Sequence, residues 1–217
     1  MVYSAPMAPA ARRFPLVLLA AYLVEFAALG AAPYARDVWY AENIPIVIVV
    51  ATLVLLWRYG IRLSNASYAL MGVLVFLHTI GGHYTFERVP FAWFGSLFGF
   101  ERNMFDRVAH FSVGLYAFAV AEWLDRWRAV SRRFLVYLVP VAAIGFIAAF
   151  YEVIEWLYAA FAGDPAAGAA FLGSQGDIWD AQKDMALDIS GAVVAAALYA
   201  LLRGRIAKVY PAPRDGG

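Results

Sequence analysis

The chain has 217 residues, of which 64% are hydrophobic and only 15% charged, and its mean hydropathy is +0.67. Soluble domains are about half apolar and about one quarter charged, so this composition predicts a single compact domain embedded in a membrane. A net charge of +1 argues against a nucleic-acid-binding face, and the lack of cysteine excludes disulfides and thiolate chemistry. Membrane lipids are therefore the expected partners, and the sequence identifies no protein partner.

Six apolar stretches predict transmembrane helices, at residues 14–32, 44–57, 66–80, 105–123, 134–161 and 180–202. We expect an all-α, polytopic helix bundle over residues 14–203. A cytoplasmic segment, 1–13, would precede it and a cytoplasmic tail, 204–217, would follow. The first apolar run is long for a signal peptide, so we expect it to be retained as a helix. Residues 83–107 mix aromatic and charged side chains, which favours a location at the membrane surface. Residues 91–100 within that segment could form a lid or an anchor.

The distribution of Lys and Arg predicts the orientation. With the N-terminus in the cytoplasm, twelve of the 17 basic residues lie in segments on the cytoplasmic side. Basic residues favour cytoplasmic loops, so both termini are expected to be cytoplasmic.

In this topology the unusual polar residues lie near the outer ends of the helices. Asp106 and His110 open the fourth predicted helix one turn apart, and Glu152 and Glu155 come late in the fifth. The sixth helix carries a row of aspartates four residues apart, and all three histidines of the chain are on the same side. The row comprises Asp180, Asp184 and Asp188. We assign no acid or histidine to the inner half of any helix. Each ionised group near the bilayer centre costs about 2.5–3.5 kcal/mol, so the clustering predicts a shared partner.

Two arrangements would stabilise such a cluster. In the first, a divalent cation is bound by ligands drawn from six residues; the set comprises Asp106, His110, Glu155, Asp180, Asp184 and His83. Carboxylate and imidazole ligands suit zinc, manganese or magnesium, and a bound metal would support hydrolysis or group transfer on a lipid or envelope precursor. The catalytic candidates are Asp106, His110, Glu152 and Glu155.

In the second arrangement the protein is a transporter or a structural protein without enzymatic activity. Its acids pair with Arg102, Arg107 and Lys183 in an internal salt-bridge network that fixes the register of the helices. Single residues also have simpler explanations. Acids in the first turn of a helix interact favourably with the helix dipole, and His83 or the two glutamates would be ordinary at a membrane interface.

Four blocks of the sequence resemble the YjdF-type bacterial inner-membrane proteins. They are HTIGGHYTFERVP at 78–90, DRVAHF at 106–111, YEVIEW at 151–156 and GDIWDAQKDM at 176–185, and the resemblance extends over residues 39–191. It implies a polytopic protein of the bacterial inner membrane and no settled activity. Asp106, His110, a glutamate at 152 or 155 and the aspartates of the sixth helix are also similar to VanZ-like membrane proteins. Some of these are linked to glycopeptide resistance, but their usual glutamine and arginine positions have no assigned equivalents here.

Overall fold

The computed structural model of the protein describes residues 9–161 and 174–212. Within these ranges all regular structure is helical, which confirms the all-α prediction. A 3₁₀ turn, Ser174–Gly176, precedes the last helix. The α-helices of the described ranges are α1 (Pro9–Ala31), α2 (Arg36–Arg58), α3 (Asn65–Tyr84), α4 (Ala92–Phe98), α5 (Phe105–Gly114), α6 (Tyr116–Arg126), α7 (Leu135–Phe161) and α8 (Asp180–Val209).

Five helices of the described ranges, α1, α2, α3, α7 and α8, are long and apolar enough to cross a membrane. The fourth predicted helix is divided into α5, of 10 residues, and α6, of 11 residues, and neither helix alone is long enough to cross a membrane. The break is slight, because Leu115 keeps right-handed helical dihedrals and the amide of Leu115 donates to Ser112, three residues back. The number of spans and the side on which each terminus lies stay predictions.

Helices α2 and α3 extend beyond their predicted bounds on the side of the polar cluster. α2 begins at Arg36 rather than at residue 44, so Pro45 lies inside the helix and not in its first turn. α3 continues past Gly81 and Gly82 and ends before Thr85, which adopts a left-handed conformation. A Cβ at Gly82 would lie 2.6 Å from the Asn43 Nδ2 atom. This glycine therefore permits close packing of α3 on α2 and does not end the helix.

The bundle is organised around two central helices. α3 packs against α1, α2, α5 and α6, whereas α8 packs against α5, α6 and α7. The larger core lies between α6, α7 and α8, where the ring of Phe118 meets the ring of Tyr199 edge-on at 5.3 Å. The short helix α4 exposes Trp93, Leu97 and Phe98, as expected of a segment at the membrane surface, although its role as lid or anchor stays a prediction.

Glu122 contradicts the prediction that the inner halves of the helices carry no acid. It lies in α6 and is completely buried. Its carboxylate accepts hydrogen bonds from the Ser64 amide at 2.8 Å, the Ser64 and Ser67 hydroxyls at 2.6 Å, and Arg126 Nη1 at 2.6 Å. Because charge and lone pairs are both satisfied, the acid is tolerated here and ties α6 to the start of α3.

α5 crosses α8 at close range through two glycines. A Cβ at Gly191 would lie 2.1 Å from the Phe111 carbonyl oxygen, and one at Gly114 would lie 2.3 Å from the Asp188 carbonyl oxygen. The two backbones are therefore in direct contact, as small residues allow in membrane bundles. This crossing lies one turn from His110 and Asp188, so it sets the distance between them.

Replacing Gly191 by Val should lower the thermal unfolding midpoint strongly. The new side chain collides with backbone, which cannot move aside as a flexible side chain does, so we expect a loss of about 3 kcal/mol or more. Differential scanning fluorimetry in detergent measures it. Gly204 provides the control within the same helix, because a Cβ there meets no atom within 4 Å. Gly204→Ala should be unchanged or up to about 1 kcal/mol more stable. Equal midpoints for both variants would contradict the crossing.

Candidate metal centre

The loop before α5 is held by Asn103, which fixes where α5 begins. The Asn103 side-chain amide donates to the carbonyls of Glu87 and Val89 at 2.9 and 2.8 Å, while its oxygen accepts from the Phe105 amide at 3.0 Å. The Asn103 backbone amide donates to Gln175 Oε1 at 2.9 Å. The segments before α5 and before α8 are thereby joined, and the first turns of the two helices lie side by side.

The aspartate row of α8 is buried. Asp180, Asp184 and Asp188 are 7%, 4% and 3% exposed and face α5, as their four-residue spacing predicts. Arg107 lies between the first two aspartates. Its Nη2 atom donates a hydrogen bond to the Asp180 carboxylate, and its Nη1 atom donates one to Asp184 Oδ1. Arg102 adds a contact to Asp180 at 2.8 Å. The ion pairs that the sequence suggested between these aspartates and arginines are therefore present.

Asp177 precedes this row in the chain, before α8 begins. Its Oδ2 atom accepts from Lys183 Nζ at 2.7 Å and from Arg107 Nη2 at 3.1 Å. The hydrogen bond from Lys183, with a second from the Trp179 amide, lowers the pKa of Asp177 to about 2. Asp177 is therefore ionised throughout the physiological range and takes up Lys183, which is then less available to the aspartates deeper in the bundle.

Three aspartates surround the ring of His110, namely Asp106, Asp184 and Asp188. The His110 Nε2 atom is 3.7 Å from Asp106 Oδ1 and 3.7 Å from Asp184 Oδ1. One ligand atom from each of these three residues lies within 4.8 Å of the others, which is the spacing of a candidate metal centre. On the other side of the ring, Nδ1 is 3.3 Å from Asp188 Oδ1 and 3.4 Å from Asp188 Oδ2. With its proton on Nδ1, the ring donates to Asp188 and turns the Nε2 lone pair towards Asp106 and Asp184.

The five aspartates of this region outnumber the cations that contact them. Within the described ranges, three permanent cations, Arg102, Arg107 and Lys183, pair with Asp106, Asp177, Asp180 and Asp184, and none of them pairs with Asp188. With all five aspartates ionised, arginine and lysine therefore leave two negative charges uncompensated inside the bundle. A cationic imidazolium or a bound cation would reduce this excess.

Glu42 is a member of the site that sequence reasoning missed. Its Oε2 atom is 3.7 Å from His78 Nε2, and it is close enough to Asp106 and His110 to interact with both electrostatically. The sequence placed it in a polar link because α2 was expected to begin at residue 44. The signal was the spacing of Trp39, Asn43 and Ile46, which share the buried face of one helix.

Glu152 and Glu155 approach the site from α7. Both are half-buried and interact electrostatically with His110, and Glu155 also interacts with Glu42 and Asp106. They extend the acidic lining to a fourth helix, but within the described residues neither joins the group of converging ligand atoms around His110.

His83 lies apart from this group. Its Nδ1 atom is 2.7 Å from the Leu29 carbonyl oxygen, and its own carbonyl accepts from the Tyr34 amide at 2.9 Å. The contacts tie the end of α3 to the end of α1. Asp180 is likewise engaged by Arg107 and Arg102. Of the six residues proposed as ligands from the sequence, the structure therefore brings Asp106, His110 and Asp184 together and gives His83 and Asp180 other partners.

Comparisons with known proteins agree with the resemblance seen in the sequence. The model of the family described as "Predicted membrane protein (DUF2238)" matches residues 14–205. The chain is 36% identical over 171 residues to the protein named "Inner membrane protein YjdF" of Escherichia coli (strain K12), covering 76% of this chain and 78% of that protein. No solved structure matches. The similarity to VanZ-like proteins is not shown by these comparisons.

The family match and the apolar helices together identify a multi-pass protein of the inner membrane. The chain belongs to the DUF2238 family of predicted membrane proteins.

Proposed function

We propose that this protein binds a divalent cation at the α5–α8 crossing, with Asp106, His110 and Asp184 as ligands. The observation that carries the proposal is the environment of His110. One ring nitrogen is held by a buried carboxylate, and the other is aimed between two more. Imidazoles that bind metals are commonly oriented in this way by a second carboxylate.

The distances favour a cation over direct hydrogen bonds. At 3.7 Å, the separations of His110 Nε2 from the two carboxylates are too long for hydrogen bonds. Ligand bonds of about 2.0–2.2 Å at a tetrahedral angle place neighbouring ligand atoms about 3.3–3.6 Å apart. A small inward shift of each side chain would therefore complete a site. Nitrogen and oxygen ligands suit zinc, manganese or magnesium.

We further propose that the bound cation supports hydrolysis or group transfer on a lipid or an envelope precursor. A divalent cation lowers the pKa of a coordinated water and polarises phosphoryl or carbonyl oxygens. In this proposal Glu152 and Glu155, on the neighbouring α7, exchange protons with the substrate. Their exposed neighbours Val153, Ile154 and Trp156 suit an approach from the lipid.

A second candidate function is purely structural, and it is favoured by Arg107. This guanidinium joins Asp180 and Asp184 on α8, and it contacts the same Oδ1 atom of Asp184 that faces His110. A network that is complete with Arg107 and a protonated His110 would hold α5 against α8 without a metal.

Removing a ligand should remove the metal. Purified wild-type protein should carry about one divalent cation per chain by plasma mass spectrometry, and His110→Ala and Asp106→Asn should each lose most of it. His83→Ala is the matched control, because it deletes a half-buried histidine whose ring nitrogen bonds a backbone carbonyl. That variant should retain the metal. A metal-free wild type, or equal metal in all variants, would refute the site.

Replacing the orienting carboxylate should weaken the site without abolishing it. Asp188→Asn keeps the volume of the side chain but removes the charge that fixes the His110 ring, so metal affinity should fall by about 10–100-fold. Competition against a chromophoric chelator gives the affinity, and the stoichiometry at saturating metal should remain that of the wild type. An unchanged affinity would show that Asp188 does not position His110.

Arg107→Gln tests the structural candidate. In metal-free protein the loss of this cation leaves buried aspartates uncompensated, which should cost about 3–5 kcal/mol and lower the thermal midpoint markedly. Arg88→Gln is the control, since Arg88 is 49% exposed and contacts Glu87 at 3.6 Å. If Arg107→Gln unfolds at the wild-type temperature, the salt-bridge network does not hold the helices together.

A further inference from the structure

A cavity lies between α1, α2 and α3, away from the acidic cluster. It has a volume of about 350 Å³ and is lined almost wholly by apolar side chains, among them Leu18, Val50, Val54 and Val75. This volume is within the range of small-molecule sites, at about 300–1,000 Å³. Gly72 on α3 contributes to the wall without a side chain.

The groove is elongated along the helices. On α2 its lining runs from Val50 to Arg58, which corresponds to about 12 Å of helix. The lining on α1 runs from Pro15 to Tyr22, and on α3 from Tyr68 to Phe76. An apolar groove that runs parallel to membrane-spanning helices would accommodate an acyl chain, which lies in the same direction in a bilayer.

One end of the groove is basic. Arg58 lines it at the end of α2, and the Arg62 guanidinium lies over the ring of Trp57 at 4.8 Å. Arg13 lies in the first turns of α1, two residues before Pro15. Within the described ranges none of these three arginines forms a salt bridge, and the two acids of the adjacent helix α6 are already engaged. Glu122 pairs with Arg126, and Asp125 pairs with Arg203.

Polar donors beside the groove also lack acceptors. Within the described part of the chain, Trp57 Nε1 and Arg62 Nε are shielded from solvent and make no hydrogen bond. Buried donors of this kind are costly unless a partner satisfies them. Both belong to the basic end, where an anionic oxygen would accept from them.

We propose that the α1–α2–α3 groove binds an anionic phospholipid. One acyl chain lies along the groove, and Arg58 and Arg62 bind the phosphate. Basic pockets between membrane helices bind anionic lipid head groups by the same combination of charge and hydrophobic contact. Glu42 and Arg58 are sixteen residues apart on α2, which places the lipid phosphate about 24 Å from the acidic cluster. The groove is thus independent of the proposed metal centre.

Native mass spectrometry of the delipidated full chain tests the proposal. Titration with phosphatidylglycerol and with phosphatidylcholine of the same acyl chains should show tighter binding of phosphatidylglycerol. The double variant Arg58→Gln/Arg62→Gln should lose this preference, at about fivefold in affinity per arginine removed. Val54→Trp, which fills the groove with a large side chain, should weaken binding of both lipids.

Two controls separate the groove from general lipid contact. Val47→Trp adds the same bulk to α2 at a position that is 46% exposed and does not line the groove. Arg88→Gln removes a cation that lies over the ring of Tyr34, away from the basic end of the groove. Both should bind phosphatidylglycerol like the wild type. Equal affinity of the wild type for the two lipids, which requires no variant, would overturn the proposal. Unchanged phosphatidylglycerol binding by the double arginine variant or by Val54→Trp would overturn it as well.

Discussion

The contact between the backbones of α5 and α8 determines where the polar groups of the bundle lie. Gly114 and Gly191 leave no room for side chains at the crossing, so the helices approach as closely as their backbones allow. His110 and Asp188 lie one turn from it and are thereby brought within 3.3 Å. Asp106 and Asp184 lie a further turn along the same helices, which places them on the other side of the same imidazole ring.

Close approach alone would be unfavourable, because it concentrates acids in a medium of low dielectric. Arg107 compensates Asp180 and part of Asp184, and Lys183 compensates Asp177 before the start of α8. What remains uncompensated is the group around His110, to which α2 and α7 add Glu42, Glu152 and Glu155. A membrane protein that retains such an excess of carboxylates needs a cation, a proton or a polar substrate as partner.

Much of this site could be predicted from the sequence because helical spacing is a local property. Asp106 and His110 at i,i+4 and the four-residue aspartate row fix which side chains share a face. Glu42 was missed because Pro45 was read as part of the first turn of α2, whereas the helix begins at Arg36 and continues through Pro45. Glu122 was missed because its partners, Ser64 and Ser67, are more than fifty residues away in the chain. His83 shows the converse: its position in the chain suggested a ligand, but its partner is a backbone carbonyl of α1.

Anomalous X-ray diffraction from crystals grown with zinc or manganese tests the central claim most directly, since it locates the ion and the side chains around it together. The account predicts one peak about 2.0–2.2 Å from His110 Nε2 and from a carboxylate oxygen of both Asp106 and Asp184, with Asp188 on the far side of the ring. A map without a peak at this crossing, in which His110 points away from the two aspartates, would contradict it.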